Sequence, residues 1–590
     1  MVEKKEYKTS DLYQGGYSSL DPEKGYGYGF VGTHIPAGQF ALTTDPRNAN
    51  WLQEMSSKLS TGVKHIELEG VSPEVFESIP QQHLKEINRL SKLTGVDVTV
   101  HGPLIEASGF TKEGWSETGR QAAERQMKFA VERAHEINPD GNSPIVFHSS
   151  AILPGQIKPK RGEVEEGLMI NPETGSINRI SLKERNFPGE ESKEIKNEIK
   201  KQNEQTWRSS LSHLAYNTER AGEFIESTKY LRLGAKAEKE AGKELLPEEK
   251  KALSNYNIGT AFLNDSYREL KELYNLAYNN ATHEDKPKLD ALKKEIESKV
   301  TKINELPQDS LRRVELTKEI LASGLETLNN RISIPEIYKP LDEFAKEKTI
   351  KTFANVAWDS YEKVREGKWK AAPIIAIENP PAGGAFSRGH ELKEIVEKAR
   401  DEFVKIGREK GLSESEAKSQ AEKLIGVTWD VGHINMMRKY GYESKDIVEE
   451  TEKIKPLLKH IHLSDNFGFE HTELPMGMGN VPIKEMMEKL GKEGFEAKKV
   501  IEAASWWQHF KSPPVQESLE AFGSPIYSMK MAPYWNQSTG FQQGYFSGYG
   551  TMLPQGNYNI FGAGFSQLPS ELGGQTPGQQ GSRLSGNRME

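Results

Sequence analysis

Between Ile425 and Pro482 the chain carries two short apolar runs that each end in a polar pair, and no other stretch limits the possible folds as much. The first, IGVTW, ends at Asp430, with His433 just beyond. The second contains His462 and is followed by Asp465. A short apolar run with no polar face reads as a strand covered on both sides. A carboxylate and an imidazole just past the end of such a strand sit where a barrel enzyme keeps its chemistry.

The same unit recurs along the chain. Strands are expected at Gly29–Ile35, at Val63–Leu68, at Val96–Val100 ending in His101, and at Pro144–Phe147 ending in His148. Four more are expected at Pro373–Ile377 ending in Glu378, at Ile425–Trp429 ending in Asp430, at His460–Leu463, and at Lys499–Ile501 ending in Glu502. Segments with apolar residues at helical spacing separate them, among them Pro73–Leu93 and Glu117–Ile137. This alternation predicts an α/β chain built as a (β/α)8 TIM barrel. An open doubly wound sheet is disfavoured, because no GxGxxG turn follows the first strand.

The rhythm breaks over 155–335, where charged faces and apolar stripes at helical spacing predict a large helical insertion after the fourth strand. The barrel halves are then 29–154 and 336–521. Residues 1–28 are expected to be a flexible leader. The stretch 522–590 is rich in Gly, Gln and aromatic residues and nearly free of charge. It reads as a disordered tail, with weak self-association as its possible role. The formal charge of −8 offers no global attraction to nucleic acid or anionic membrane. The absence of cysteine excludes thiolate metal sites and fits a reducing compartment. With no apolar leader and no long apolar run, a cytoplasmic protein without membrane contact is expected.

His101, His148, Glu378, Asp430, His433, His462 and Glu502 all fall at or just after an expected strand end. Gathered near one axis, these groups would repel or compete unless cations or tight hydrogen bonds satisfied them. Nitrogen and oxygen donors without sulfur suit zinc, manganese or cobalt.

These pieces, in order, resemble the xylose isomerase-like TIM-barrel superfamily, and within it endonuclease IV, the abasic-site endonuclease. Gly32-Thr-His34-Ile-Pro resembles that family's G-x-H-V-S, His101-Gly-Pro its H-x-P, and Phe147-His148-Ser its F-H-P. Glu378-Asn379, followed by Gly383-Gly384, resembles E-N-T-A-G-Q-G. Asp430-Val-Gly-His433 resembles D-T-C-H, and His462-Leu-Ser-Asp465 resembles H-L-N-D. Met476-Gly477-Met-Gly479-Asn480 resembles L-G-E-G-N, and Glu502 takes the place of the last-strand Glu.

The resemblance implies a trinuclear site, zinc in up to three copies, held by the seven residues above. It also implies two more ligands from a D-x-H, whose positions hold His471 and Glu473 here. His34, Asn379 and Asp465 are implied to face substrate. A second departure lies in the loop after His101, where Leu104, Glu106 and Ala107 replace the family's Tyr and Asn.

Two activities follow. One is metal-dependent phosphodiester cleavage at an abasic site in duplex DNA. The other is isomerisation or epimerisation of a small sugar, with one manganese or magnesium on Glu378, Asp430, His462 and Glu502, and with Glu378 and Glu502 as catalytic proton carriers. A non-catalytic scaffold is a third reading.

Overall fold

The structure is a computed structural model. It describes residues 31–503, 518, 519, 521 and 522, apart from 34, 36, 47, 60–62, 71, 161–165, 183–193, 241–243 and 308–309. Two units emerge, one formed by the barrel sequences on either side of 164–344 and the other by 164–344 itself.

In the barrel unit the strands are β1 Phe40–Thr43, β2 His65–Glu69, β3 Asp97–His101, β4 Pro144–His148, β5 Ile374–Glu378, β6 Ile425–Asp430, β7 Leu458–Leu463 and β8 Lys498–Ile501. All neighbours pair in parallel, and β1 closes the barrel against β8. The composition of these runs explains their place. Every residue of β6 is buried, as a strand must be when side chains fill the barrel inside and helices cover it outside.

The intervening helices carry recognisable ends. Glu117–Ile137 begins at Ser116, whose hydroxyl accepts the Gly119 N–H at 3.0 Å. Gln81–Thr94 ends at Gly95, in the left-handed conformation at φ 68°.

Four expectations need correction. The first strand is Phe40–Thr43, not Gly29–Ile35, because FALT is the run whose backbone pairs with β2 and β8. The helix expected over Pro73–Leu93 is two helices, Pro73–Ser78 and Gln81–Thr94. Pro80 stands between them and cannot continue the first.

The third correction concerns the insertion. The 164–344 unit contains, besides its helices, an antiparallel sheet of Glu166–Ile170, Ile177–Ser181 and Lys339–Pro340. A turn of NPETGS type reverses the chain between the first two strands. Helices Ile195–Glu240, Pro247–Asn279, Lys286–Glu305 and Leu311–Glu326 close this unit's own core around Trp207, Leu214, Leu263 and Ile320.

The fourth concerns the tail. Phe522, expected to begin it, is fully buried against Phe40 with ring centroids 5.3 Å apart, so barrel packing reaches at least that far. The leader 1–28 and residues 523–590 lie outside the described residues. Among the described residues no helix is long and apolar enough to cross a membrane.

Candidate metal centre

Parallel register brings the strand ends to one level. Glu378 pairs with His148 on one side and Thr428 on the other, and Asp430 pairs with His462. Because side chains alternate along a strand, the final residues of several strands converge on the barrel axis.

Glu378 stands at the centre, fully buried, and its two oxygens face different partners. Oε2 lies 3.2 Å from His101 Nε2 and 3.3 Å from His148 Nε2. Oε1 lies 3.0 Å from His462 Nδ1 and 3.7 Å from His433 Nδ1. Burial pushes this carboxyl up, but His462, His148 and His101 hold it well below the usual carboxylate range. In return, Glu378 carries His101 up to about 10 against the pull of burial. His148, which burial dominates, is pushed down to about 4.

Asp430 Oδ1 accepts the His433 backbone N–H at 2.7 Å and the Ser464 hydroxyl at 3.3 Å. Its Oδ2 is buried with no hydrogen-bond partner among the described residues. Burial, together with the charges of Glu502 and Glu378, raises this carboxyl well above the usual range. Glu502 Oε2 lies 2.9 Å from His462 Nδ1 but not in line for a hydrogen bond.

One donor atom each from Glu378, Asp430, His462 and Glu502 lie within 4.8 Å of one another, and His101, Glu378 and His462 form a second such group. Buried polar atoms without partners are costly. The stranded Asp430 and Glu502 oxygens, set among imidazole nitrogens, make a donor set that fits divalent cations.

A third group lies at the edge. His433 Nδ1 donates to the Asn379 carbonyl at 2.8 Å, which leaves its Nε2 as the acceptor. That Nε2 is 2.8 Å from His471 Nε2, so the two rings must share a proton or a cation between them. Glu473 Oε1 is 3.4 Å from His471 Nε2. Glu473 adopts a left-handed φ of 44°, and paired backbone hydrogen bonds of 2.8 Å between Asp465 and Leu474 hold the loop in place.

The nine residues named as metal ligands thus lie in one connected cluster. Two of the three residues expected to face substrate have other work. Asn379 clamps the Asp430 backbone, donating to its carbonyl at 3.0 Å and accepting its N–H at 2.8 Å. Asp465 staples its loop, accepting backbone N–H groups from Asn466, Gly477 and Val481 at 2.9, 2.9 and 3.1 Å. Both side chains are spent on the fold because buried amides and carboxylates need such partners. His34 lies outside the described residues. Glu106 ties two rim loops, its Oε2 accepting from Ser150 Oγ at 2.7 Å and from the Ala151 and Ile152 N–H groups at 2.9 and 3.0 Å.

Three buried residues of the centre escaped sequence reasoning: Glu67 and Glu69 on β2, and His460 on β7. Burial and the neighbouring Glu502 raise the Glu69 carboxyl well above its ordinary value. The signal was HIELE, which has two acidic residues at period two. In an open sheet such a pattern marks a wet face, but a closed barrel has none inside.

Residues 371–523 match the family model described as xylose isomerase-like TIM barrel. An uncharacterized protein of Methanocaldococcus jannaschii is 32% identical over 148 residues, which cover 23% of this chain and 49% of that protein. The match therefore spans about half the length of that relative. Among solved structures, a D-tagatose 3-epimerase-like protein aligns at 13% identity with a TM-score of 0.33, covering 82% of this chain and 96% of that one.

Proposed function

We propose that this chain, whose residues 371–523 match the xylose isomerase-like TIM barrel model, is a divalent-metal-dependent phosphodiesterase of endonuclease IV type, acting at abasic sites in duplex DNA. The observation that carries this reading is the division of Glu378. One oxygen faces His101 and His148, and the other faces His462. A carboxylate so divided is suited to join two cations, and paired cations about 3.5–4 Å apart suit in-line displacement at phosphorus. A sugar isomerase with one cation has no need of His101 and His148.

His101, His148 and Glu378 would hold one cation, and Glu378, Asp430, His462 and Glu502 the second. His433, His471 and Glu473 offer a third position. Zinc fits the mixed nitrogen and oxygen donors, with manganese as the alternative. Bound there, the cations supply Lewis acidity and neutralise charge at the phosphate.

The chain's own residues do the rest. The His433 N–H and the Ser464 hydroxyl take up one Asp430 oxygen and so orient the other. The Asn379 carbonyl fixes the proton of His433 on Nδ1. Phe467 and Phe469, 54% and 66% exposed on the loop that carries His471, offer flat surfaces for stacking on bases. Lys439 has no carboxylate partner among the described residues and reaches the Gly383 turn beyond Glu378, where it can contact a phosphate.

The test is a labelled duplex with one tetrahydrofuran abasic analogue, incubated with and without chelator. Nicking 5′ to the lesion that chelator abolishes, and that salt steeply reduces, is the expected result. The second reading, a sugar isomerase, rests on the completeness of the Glu378, Asp430, His462 and Glu502 group by itself. Failure to nick at high enzyme, with metal-dependent interconversion of a ketose pair, would establish it instead.

A further inference from the structure

Beneath the ring of candidate ligands the barrel interior is polar, where packed aliphatic side chains are usual. Glu67, Thr99, Thr428 and His460 occupy this layer, and none is more than 2% exposed. Thr99 Oγ1 donates to Glu67 Oε2 at 2.7 Å. Glu67 Oε1 lies 3.0 Å from His462 Nε2, close enough for a hydrogen bond though not in line for one. His462 therefore stands between carboxylates: Glu67 lies at Nε2, while Glu378, hydrogen-bonded at 3.0 Å, and Glu502 lie at Nδ1, where a bound cation would take the place of a ring proton.

A neutral imidazole carries one ring proton, and the nitrogen that keeps it cannot bind a cation. We propose that Glu67, held by Thr99, is a positioning residue that keeps the His462 proton on Nε2 and so leaves the Nδ1 lone pair for the cation shared with Glu378, Asp430 and Glu502. A carboxylate behind a metal-binding histidine commonly orients the ring and strengthens its donor atom.

The competing use of this layer is a deeper cation among Glu67, His460 and His462, whose donor atoms also lie within 4.8 Å of one another. Two features disfavour it. His462 would have to lose both ring protons to serve cations on both sides. The Glu67 oxygen 3.5 Å from His460 Nε2 is also the one that accepts the Thr99 hydroxyl.

The inference rests on the cation site within the proposed function and not on the substrate. Its failure and a failure to nick abasic DNA are therefore distinct results. The test is cobalt(II) titration of the metal-free protein followed by visible absorption, with thermal melting of the metal-free variants to confirm folding. Glu67→Ala is expected to bind as many cobalt equivalents at saturation as the parent, with one class of site weakened about 10–100-fold. Glu67→Gln keeps a carbonyl oxygen for the Nε2 proton, so its affinity should fall between the two. Thr99→Val should weaken the same site by a smaller factor, about 2–10-fold, and it serves if Glu67→Ala does not fold. Unchanged cobalt affinity in Glu67→Gln and Thr99→Val would overturn the proposal. So would loss of a whole equivalent at saturation, since that would make the deep layer a cation site.

Discussion

Glu378 serves histidines from both of its oxygens, so an isosteric amide cannot replace it. Glu378→Gln keeps the volume but loses the charge and one acceptor. Cation affinity should fall at least about 100-fold, more than the loss of an outer partner usually costs, and activity should vanish with it. Metal content after dialysis, with circular dichroism to confirm the fold, checks this. A variant that holds metal and turns over like the parent would remove Glu378 from the centre. His471→Ala should cost one equivalent only, because the third group is joined to the rest through His433. At this scale the strand-end ligands were legible because each follows an apolar run that a reader can see. His471 and Glu473 became visible only through a family resemblance. Glu67 and His460 were hidden, since a polar residue one layer down a barrel strand leaves no mark that separates it from a surface position.

Helices Gly389–Glu409 and Ser444–Ile454 meet at a buried carboxylate outside the barrel. Glu450, 1% exposed, accepts from Arg388 Nε at 3.1 Å, from Lys453 Nζ at 3.0 Å and from the His390 N–H at 3.3 Å. Burial pushes its carboxyl up, but His390, Arg388 and Lys453 hold it well below the usual range. A depressed folded pKa means that stability is fully present above the unfolded carboxylate value of about 4.3 and is lost as pH falls toward the folded value. Glu450→Gln should therefore cost about 2–3 kcal/mol at pH 7, less than a fully buried pair because Arg388 and Lys453 stay partly hydrated. The gap in melting temperature between parent and variant should close below about pH 4; a gap that widens in acid would refute the assignment. At the same junction a Cβ on Gly389 would collide with the Glu450 carbonyl oxygen. Gly389→Ala should push the helices apart and cost about 1–3 kcal/mol by denaturant melting. Most elements were legible from apolar runs and helical apolar spacing. The first strand was misplaced because Gly29–Ile35 and Phe40–Thr43 are both short runs with apolar residues, and only pairing with β2 and β8 picks out the second.

At the scale of the whole chain, residues 164–344 bring their own core and their own small sheet. Expressed alone, 164–344 is expected to give a strongly helical circular dichroism spectrum and a cooperative melt. A featureless spectrum would mean that its core needs the barrel sequences. The barrel itself was legible because a closed parallel sheet requires eight apolar runs with helices between them, a pattern that survives a long interruption. The hairpin inside the interruption was not legible, since charged helical neighbours dominate the composition there. The central claim is that this barrel gathers more than one cation around Glu378, and metal counting tests it most directly. After reconstitution with zinc and removal of excess, elemental analysis of the full chain should find at least two equivalents, falling in Glu378→Gln. One equivalent or none in the parent would contradict it.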